Sequence, residues 1–195
     1  MGANTHLEHV VGYGYNTESA ATAIQRNIPG RPGERIAIRA YSFGCGGTAT
    51  NAYFLQVQGT TTLGSTVAVG GSTLALAAAL PAAYIWTALD WLAVVQDDGT
   101  YHFSKVGAVT TSVAITLCTV TTVAAAAGNI VYQLGVAADN GQYLIKLTVT
   151  TGDHKELDGG IMYAPGKGYP MICQHANDAA AAGSIRYITV DYLNV

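Results

Sequence analysis

The sequence predicts an all-β chain: a single-domain β-sandwich of jelly-roll type over residues 33–195, preceded by an extended N-terminal arm over residues 1–32. Three observations carry this reading. From about residue 35 onward apolar and polar residues alternate in short runs, which sets one face of each run toward a core and the other toward solvent. Gly, Asn and Asp clusters separate the runs at spacings that suit tight turns. Helical spacing is scarce, confined to ESAATAIQR (18–26) and NDAAAAG (177–183).

The elements follow in order. The arm is polar and ends in NIPGRPGE (27–34), where Pro29 and Pro32 favour extended backbone and remove ladder donors, so it reads as a lead-in rather than a core element. In RIAIRAYSF (35–43) Ile36, Ile38 and Ala40 share a face, and in AYFLQVQ (52–58) Tyr53, Leu55 and Val57 lie opposite Gln56 and Gln58. The glycine-rich GCGGTAT (44–50) between them lacks the Lys of a phosphate-binding GxxxxGK[ST] loop and leads into a strand, so it turns the chain. Further strands are STVAV (65–69), STLALA (72–77), WLAVVQD (91–97), TYHFSKV (100–106), SVAITL (112–117), IVYQLGV (130–136), YLIKLTVTT (143–151), PMICQH (170–175) and SIRYITVDYL (184–193). Asp97-Asp98-Gly99, Asp139-Asn140-Gly141 and Gly70-Gly71 supply the turns. The last strand holds large apolar residues in both alternating sets, Ile185, Tyr187 and Leu193 in one and Ile188, Val190 and Tyr192 in the other. It is expected to be central and covered on both faces, with Arg186 and Asp191 reaching solvent or a neighbouring subunit and Tyr192 facing a partner. Eight to eleven short strands without a fixed repeat fit a sandwich or jelly roll rather than a propeller or β-helix.

Charge narrows the function classes. Charged residues make up 11% of the chain, against about 25% in typical soluble domains, and mean hydropathy is +0.27. Ala40–Leu89 and Val106–Ala138 contain no Asp, Glu, Lys or Arg. A homo-oligomer that hides these stretches is therefore expected. The two most apolar segments, 74–95 and 108–128, are interrupted by Pro81 and Asp90 or by Thr at strand-like intervals, so no membrane partner is expected. A net charge of −3 without a basic run gives no electrostatic capture of nucleic acid. Cys45, Cys118 and Cys173 are too few and too far apart for a disulfide framework or a zinc knuckle, which points to reduced thiols and folding in a cytosol. The start, MGANTHLEHVVGYGY, lacks a secretory pattern, and His6 stands where a myristoylation motif needs Ser or Thr.

Candidate chemistry is weighed residue by residue. Cys173 and His175, two apart on one strand, project to the same face and are the best local thiol–base pair, but the surroundings of known catalytic cysteines are absent. His6, Glu8 and His9 in HLEH, with His102, His154 and His175 elsewhere, lack the helix on which such spacing converges on zinc. Asp97, Asp98, Asp139, Asn140, Asp153, Glu156 and Asp158 lack the ligand ladder of a calcium loop. No catalytic, cofactor-binding or metal site is expected, and the reading is of a non-enzyme.

The segments PGERIAIRAYSFGCGGTATNAYFLQVQGTTT (32–62) and GGIMYAPGKGYPMICQHANDAAAAGSIRYITVDYLNV (159–195), with their Ala-, Thr- and Gly-rich alternating strands and aromatic closing strand, resemble tailed-bacteriophage virion structural proteins of the capsid decoration or cement type. The resemblance implies a jelly-roll-like fold, trimers or higher oligomers on a shell of major capsid protein, a place in the virion after synthesis in the host cytoplasm, and no catalysis. It carries no functional residue across. The alternative is a carbohydrate- or receptor-binding sandwich module of a viral fibre or spike, using the aromatics; an ice-binding surface on TTT (60–62) and the Thr-rich 110–122 lacks the repeat that would lay threonines on a lattice.

Overall fold

The computed structural model describes residues 9–10, 24–45, 50–81, 85–135, 143–149, 155–156, 162–163, 166–175 and 183–194, and every regular element among them is a strand. They fall into two compact units, unit 1 from residues 1–56 and 143–195 and unit 2 from residues 57–142.

Unit 1 has two antiparallel sheets. One runs β1 (His9–Val10), β15 (Gly183–Leu193), β3 (Arg35–Cys45), β12 (Lys155–Glu156), with β13 (Met162–Tyr163) also on β3; the other runs β11 (Tyr143–Val149), β4 (Thr50–Leu55), β14 (Met171–His175), β2 (Ile24–Ile28). Ile36, Ile38, Tyr41 and Phe43 of β3 and Ile188, Val190 and Tyr192 of β15 share one hydrophobic cluster with Ile28, Phe54, Met171 and Cys173 of the second sheet. Strict alternation would send Ile36 and Ile38 to one face and Tyr41 and Phe43 to the other. A register shift inserts Arg39 as an extra residue against β15, and this bulge turns both pairs toward the same core. A second shift between Ile185 and Tyr187 brings Ile185 onto the face of Ile188 and Val190, where alternation alone sets it opposite.

β15 lies between β1 and β3, a central strand as the sequence predicts. The N-terminal arm departs from expectation at two places, while 29–32 joins β2 to β3 without a strand of its own. Ile24–Ile28 is a strand paired to β14, with Ile28 in the core, and His9 and Val10 pair with Val190 and Thr189. The polar run Gln25-Arg26-Asn27 hides this strand from a periodicity argument, and the helical reading of 18–26 gives way at Ile24. β3 and β4 belong to different sheets, so the glycine-rich stretch carries the chain from one sheet to the other instead of closing a hairpin.

β4 and β11 are antiparallel neighbours, with Leu55 opposite Tyr143, and unit 2 is inserted in the connection between them. Its strands β5 (Gly59–Thr62), β6 (Thr73–Ala75), β7 (Trp91–Val95), β8 (Tyr101–Thr111), β9 (Ala114–Leu117) and β10 (Ile130–Gly135) form one sheet in the order β5-β10-β7-β8-β9-β6. The sheet curls until its outer strands meet: Leu63 bridges Leu76, Gly64 N donates to Ala75 O, and Ala77 N donates to Thr62 O. Leu63, Leu74, Trp86, Leu92, Val94, Val106, Ile115 and Val131 fill the interior. The Asp97-Asp98-Gly99 turn joins β7 to β8 with Gly99 at φ 79°, the conformation its sequence predicts. The expected strand at 65–69 is reduced to a single bridge, Val67 to Ala125. β8 runs on past its expected end at Val106, because Gly107 bulges the strand without ending it.

Candidate functional site

The thiol–base pair is a packing pair. Cys173 and His175 sit on β14 at 0% exposure in the core of unit 1, the His175 ring 5.9 Å from that of Phe43. Burial pushes the Cys173 thiol well above its ordinary value, against a smaller opposite pull from Arg26. A nucleophile needs the reverse. Cys118 and Cys173 are free thiols, Cys118 at the surface, and the side chain of Cys45 lies outside the described residues.

The acidic turn of unit 2 is a clasp. Asp97 Oδ1 accepts from Ala126 N at 2.7 Å and Asn129 Nδ2 at 2.9 Å. Asp98 accepts from the hydroxyl and backbone N–H of Thr100, and these bonds hold its carboxyl below its ordinary range. His102 is buried with Nε2 3.1 Å from Thr119 O. His6, Glu8, Asp139, Asn140, Asp153, His154 and Asp158 lie outside the described residues, as do the side chains of His9 and Glu156. Among the described residues no three His, Cys, Asp or Glu side chains come together as a metal site.

Two side chains expected to reach outward are engaged inside the chain. Asp191 is buried and ion-paired with Arg39, the bulge residue. Tyr192 is 2% exposed, donates from its hydroxyl to Pro29 O at 2.8 Å, and carries the Arg31 guanidinium 3.9 Å from its ring centre. No local signal in the sequence couples β15 to Arg39 or to the 29–31 turn. Among the described residues, Trp86, Trp91 and Tyr132 are buried, and Tyr101 and Phe103 are half-buried. The threonines are likewise divided, Thr60 exposed and Thr121 buried.

The feature that stands out is where the exposed apolar side chains fall. Every large apolar side chain left exposed among the described residues, namely Val69, Ile85, Leu89, Val109, Val113, Val120 and Ile130, belongs to unit 2. Unit 2 has few charges to offset them: one basic residue, Lys105, and four acidic ones, Asp90, Asp97, Asp98 and Asp139. Asp90 is buried, and Lys105 leans over the Trp91 ring.

Rigid frames hold these side chains outward. Gly70 N donates to Thr121 O at 2.8 Å, Thr121 N to Gly71 O at 3.0 Å and Thr121 Oγ1 to Ala68 O at 2.7 Å, locking together the loops that carry Val69 and Val120. Ile85 and Leu89 flank the buried Trp86. The Asp90 carboxylate accepts from Thr87 N and Thr87 Oγ1 at 2.8 Å each and from Gln133 Nε2 at 3.0 Å, and Leu89 is held at φ 72°, a left-handed conformation that costs a leucine about 1–2 kcal/mol. Exposed apolar side chains on segments held this way are suited to association. No family model matches the chain, and neither a curated protein nor a solved structure does.

Proposed function

We propose that the protein is a non-enzymatic structural component of a virion, of the capsid decoration or cement type, which forms trimers on a shell of major capsid protein. In this reading unit 1 is a sandwich of jelly-roll kind that supplies the folded body, and what remains of the N-terminal arm serves attachment. The observation that carries the reading is the concentration of exposed apolar side chains on the nearly uncharged unit 2. A chain that stays monomeric gains nothing from such a surface, whereas one that lives in a permanent assembly buries it. The alternative, a glycan- or receptor-binding module, draws on the half-buried Tyr101 and Phe103 but loses both tryptophans to the core.

Light scattering across a concentration series tests the proposal. It expects a species of three times the 20.2 kDa chain mass that co-sediments with emptied phage heads. A monomer that stays soluble at high concentration and binds immobilised glycans would replace it with the alternative.

A further inference from the structure

β8 has an open edge. It pairs with β7 only as far as Lys105, opposite Trp91; Val106 N then donates to Asp90 O and Leu89 N to Val106 O, and at Leu89 the chain turns away through its positive φ. Beyond that point Gly107–Thr111 pairs with β9 on one side, and among the described residues no strand lies on the other. All five residues are exposed.

Natural sheets protect such an edge with lysines, prolines or inward charges. This one has none, since Val106–Ala138 contains neither a charged residue nor a proline. What it has is two bulges, at Gly107 and Thr110, where β8 carries an extra residue against β9. Bulges raise the local twist and make a flat foreign strand a poor neighbour. A second copy of the chain brings the same bulges and the same twist.

We infer that the open edge of Gly107–Thr111 is a seam through which two copies of the chain pair, antiparallel about a two-fold axis at Val109. The inference rests on the assembly reading above and names a contact between trimers, since a two-fold seam pairs two copies and lies outside a three-fold ring. The register sets Gly107 against Thr111, Ala108 against Thr110 and Val109 against its own copy, so no like charges meet and one β-branched pair, Val109 with Val109, sits at the centre. The exposed Leu89 and Val113 flank the seam. Five residues span about 17 Å, too short an edge to bury by itself the roughly 800 Å² per partner of a stable interface. The seam alone is therefore concentration-dependent, and it strengthens when other contacts hold the two copies close.

A charge swap tests it. Val109→Lys and Val109→Glu are made separately in the full chain and followed by sedimentation equilibrium, alone and mixed in equal amounts. Each alone sets like charges face to face and weakens association about tenfold or more; the mixture sets Lys against Glu and recovers association close to that of the parent chain. Unchanged tryptophan emission and melting temperature confirm that both variants fold. Association of either single variant at the parent's strength overturns the seam and leaves the assembly reading in place, and so does weakened association that the mixture fails to restore. A parent chain that is monomeric at every concentration overturns both.

Discussion

Units 1 and 2 are both antiparallel β-structures with a closed apolar core, yet their surfaces follow opposite rules. Unit 1 holds eight of the 9 basic and eight of the 12 acidic residues, and none of its described large apolar side chains is exposed. Unit 2 holds the other five charges and all seven exposed ones. Full burial of a Val, Leu or Ile side chain is worth about 1.5–3 kcal/mol, so seven partly exposed side chains represent a sizeable driving force that the isolated chain leaves unused. On the proposed reading the contrast separates two tasks within one polypeptide: unit 1 completes its own fold, and unit 2 presents apolar side chains for another molecule to cover.

The largest effect that bears on this contrast belongs to the core of unit 1. Val190→Asp places an unpaired carboxylate where exposure is 0% and is expected to cost about 4 kcal/mol. Both tryptophans, Trp86 and Trp91, lie in unit 2, so their emission reports that unit alone. Far-UV dichroism should show loss of unit 1 strands while emission persists; simultaneous collapse of both signals would make the two units one cooperative block.

Alkali acts on the same core. Burial raises the Cys173 thiol and the Tyr41 and Tyr192 phenols above their ordinary values of 9.0 and 10.0. These groups are neutral when protonated, so above that range the unfolded chain ionises first and binds fewer protons than the native one. Stability is then lost as pH rises. Unit 1 is expected to unfold in alkali before the tryptophan signal of unit 2 changes, and the reverse order would contradict the assignment.

Smaller effects sharpen the comparison. Arg39→Ala leaves the Asp191 carboxylate buried and unpaired; because Arg39 itself is partly solvated, about 2 kcal/mol is expected in chemical denaturation. Thr121→Val removes the hydroxyl that ties the loops bearing Val69 and Val120 and should cost about 1 kcal/mol while loosening association. Leu89→Gly relieves the positive φ at the entropic cost of a glycine and should stabilise the chain by about 0–1 kcal/mol. It should weaken association at the same time, since it deletes an exposed apolar side chain. A gain in melting temperature with association intact would show that Leu89 has no part in the contact.

Local patterning made most of the strands legible. RIAIRAYSF, WLAVVQD, PMICQH and SIRYITVDYL all stand where alternation places them, and the Asp97-Asp98-Gly99 turn has the backbone its residues call for. What escaped depends on pairing across long distances. The bulge at Arg39 exists only relative to β15, and it decides which side of β3 faces the core. The joining of β4 to β11 around an inserted unit leaves no trace in a window of ten residues. Gly107 reads as a strand end by propensity, although in the ladder it is a bulge, and so the open edge of β8 stayed hidden. The candidate surface was half legible. The charge-free stretches mark it, but the first begins at Ala40, inside unit 1, and therefore blurs the boundary between a strand buried in its own core and a surface awaiting a partner.

Hydrogen exchange at low and high protein concentration tests most directly the claim that unit 2 is the surface of association. Protection is expected to rise with concentration in the segments that present the exposed apolar side chains, 68–71, 85–89, 107–113, 119–121 and 129–131, and to stay constant in β3, β4, β14 and β15. Concentration-dependent protection confined to unit 1, or none anywhere in the chain, would contradict it.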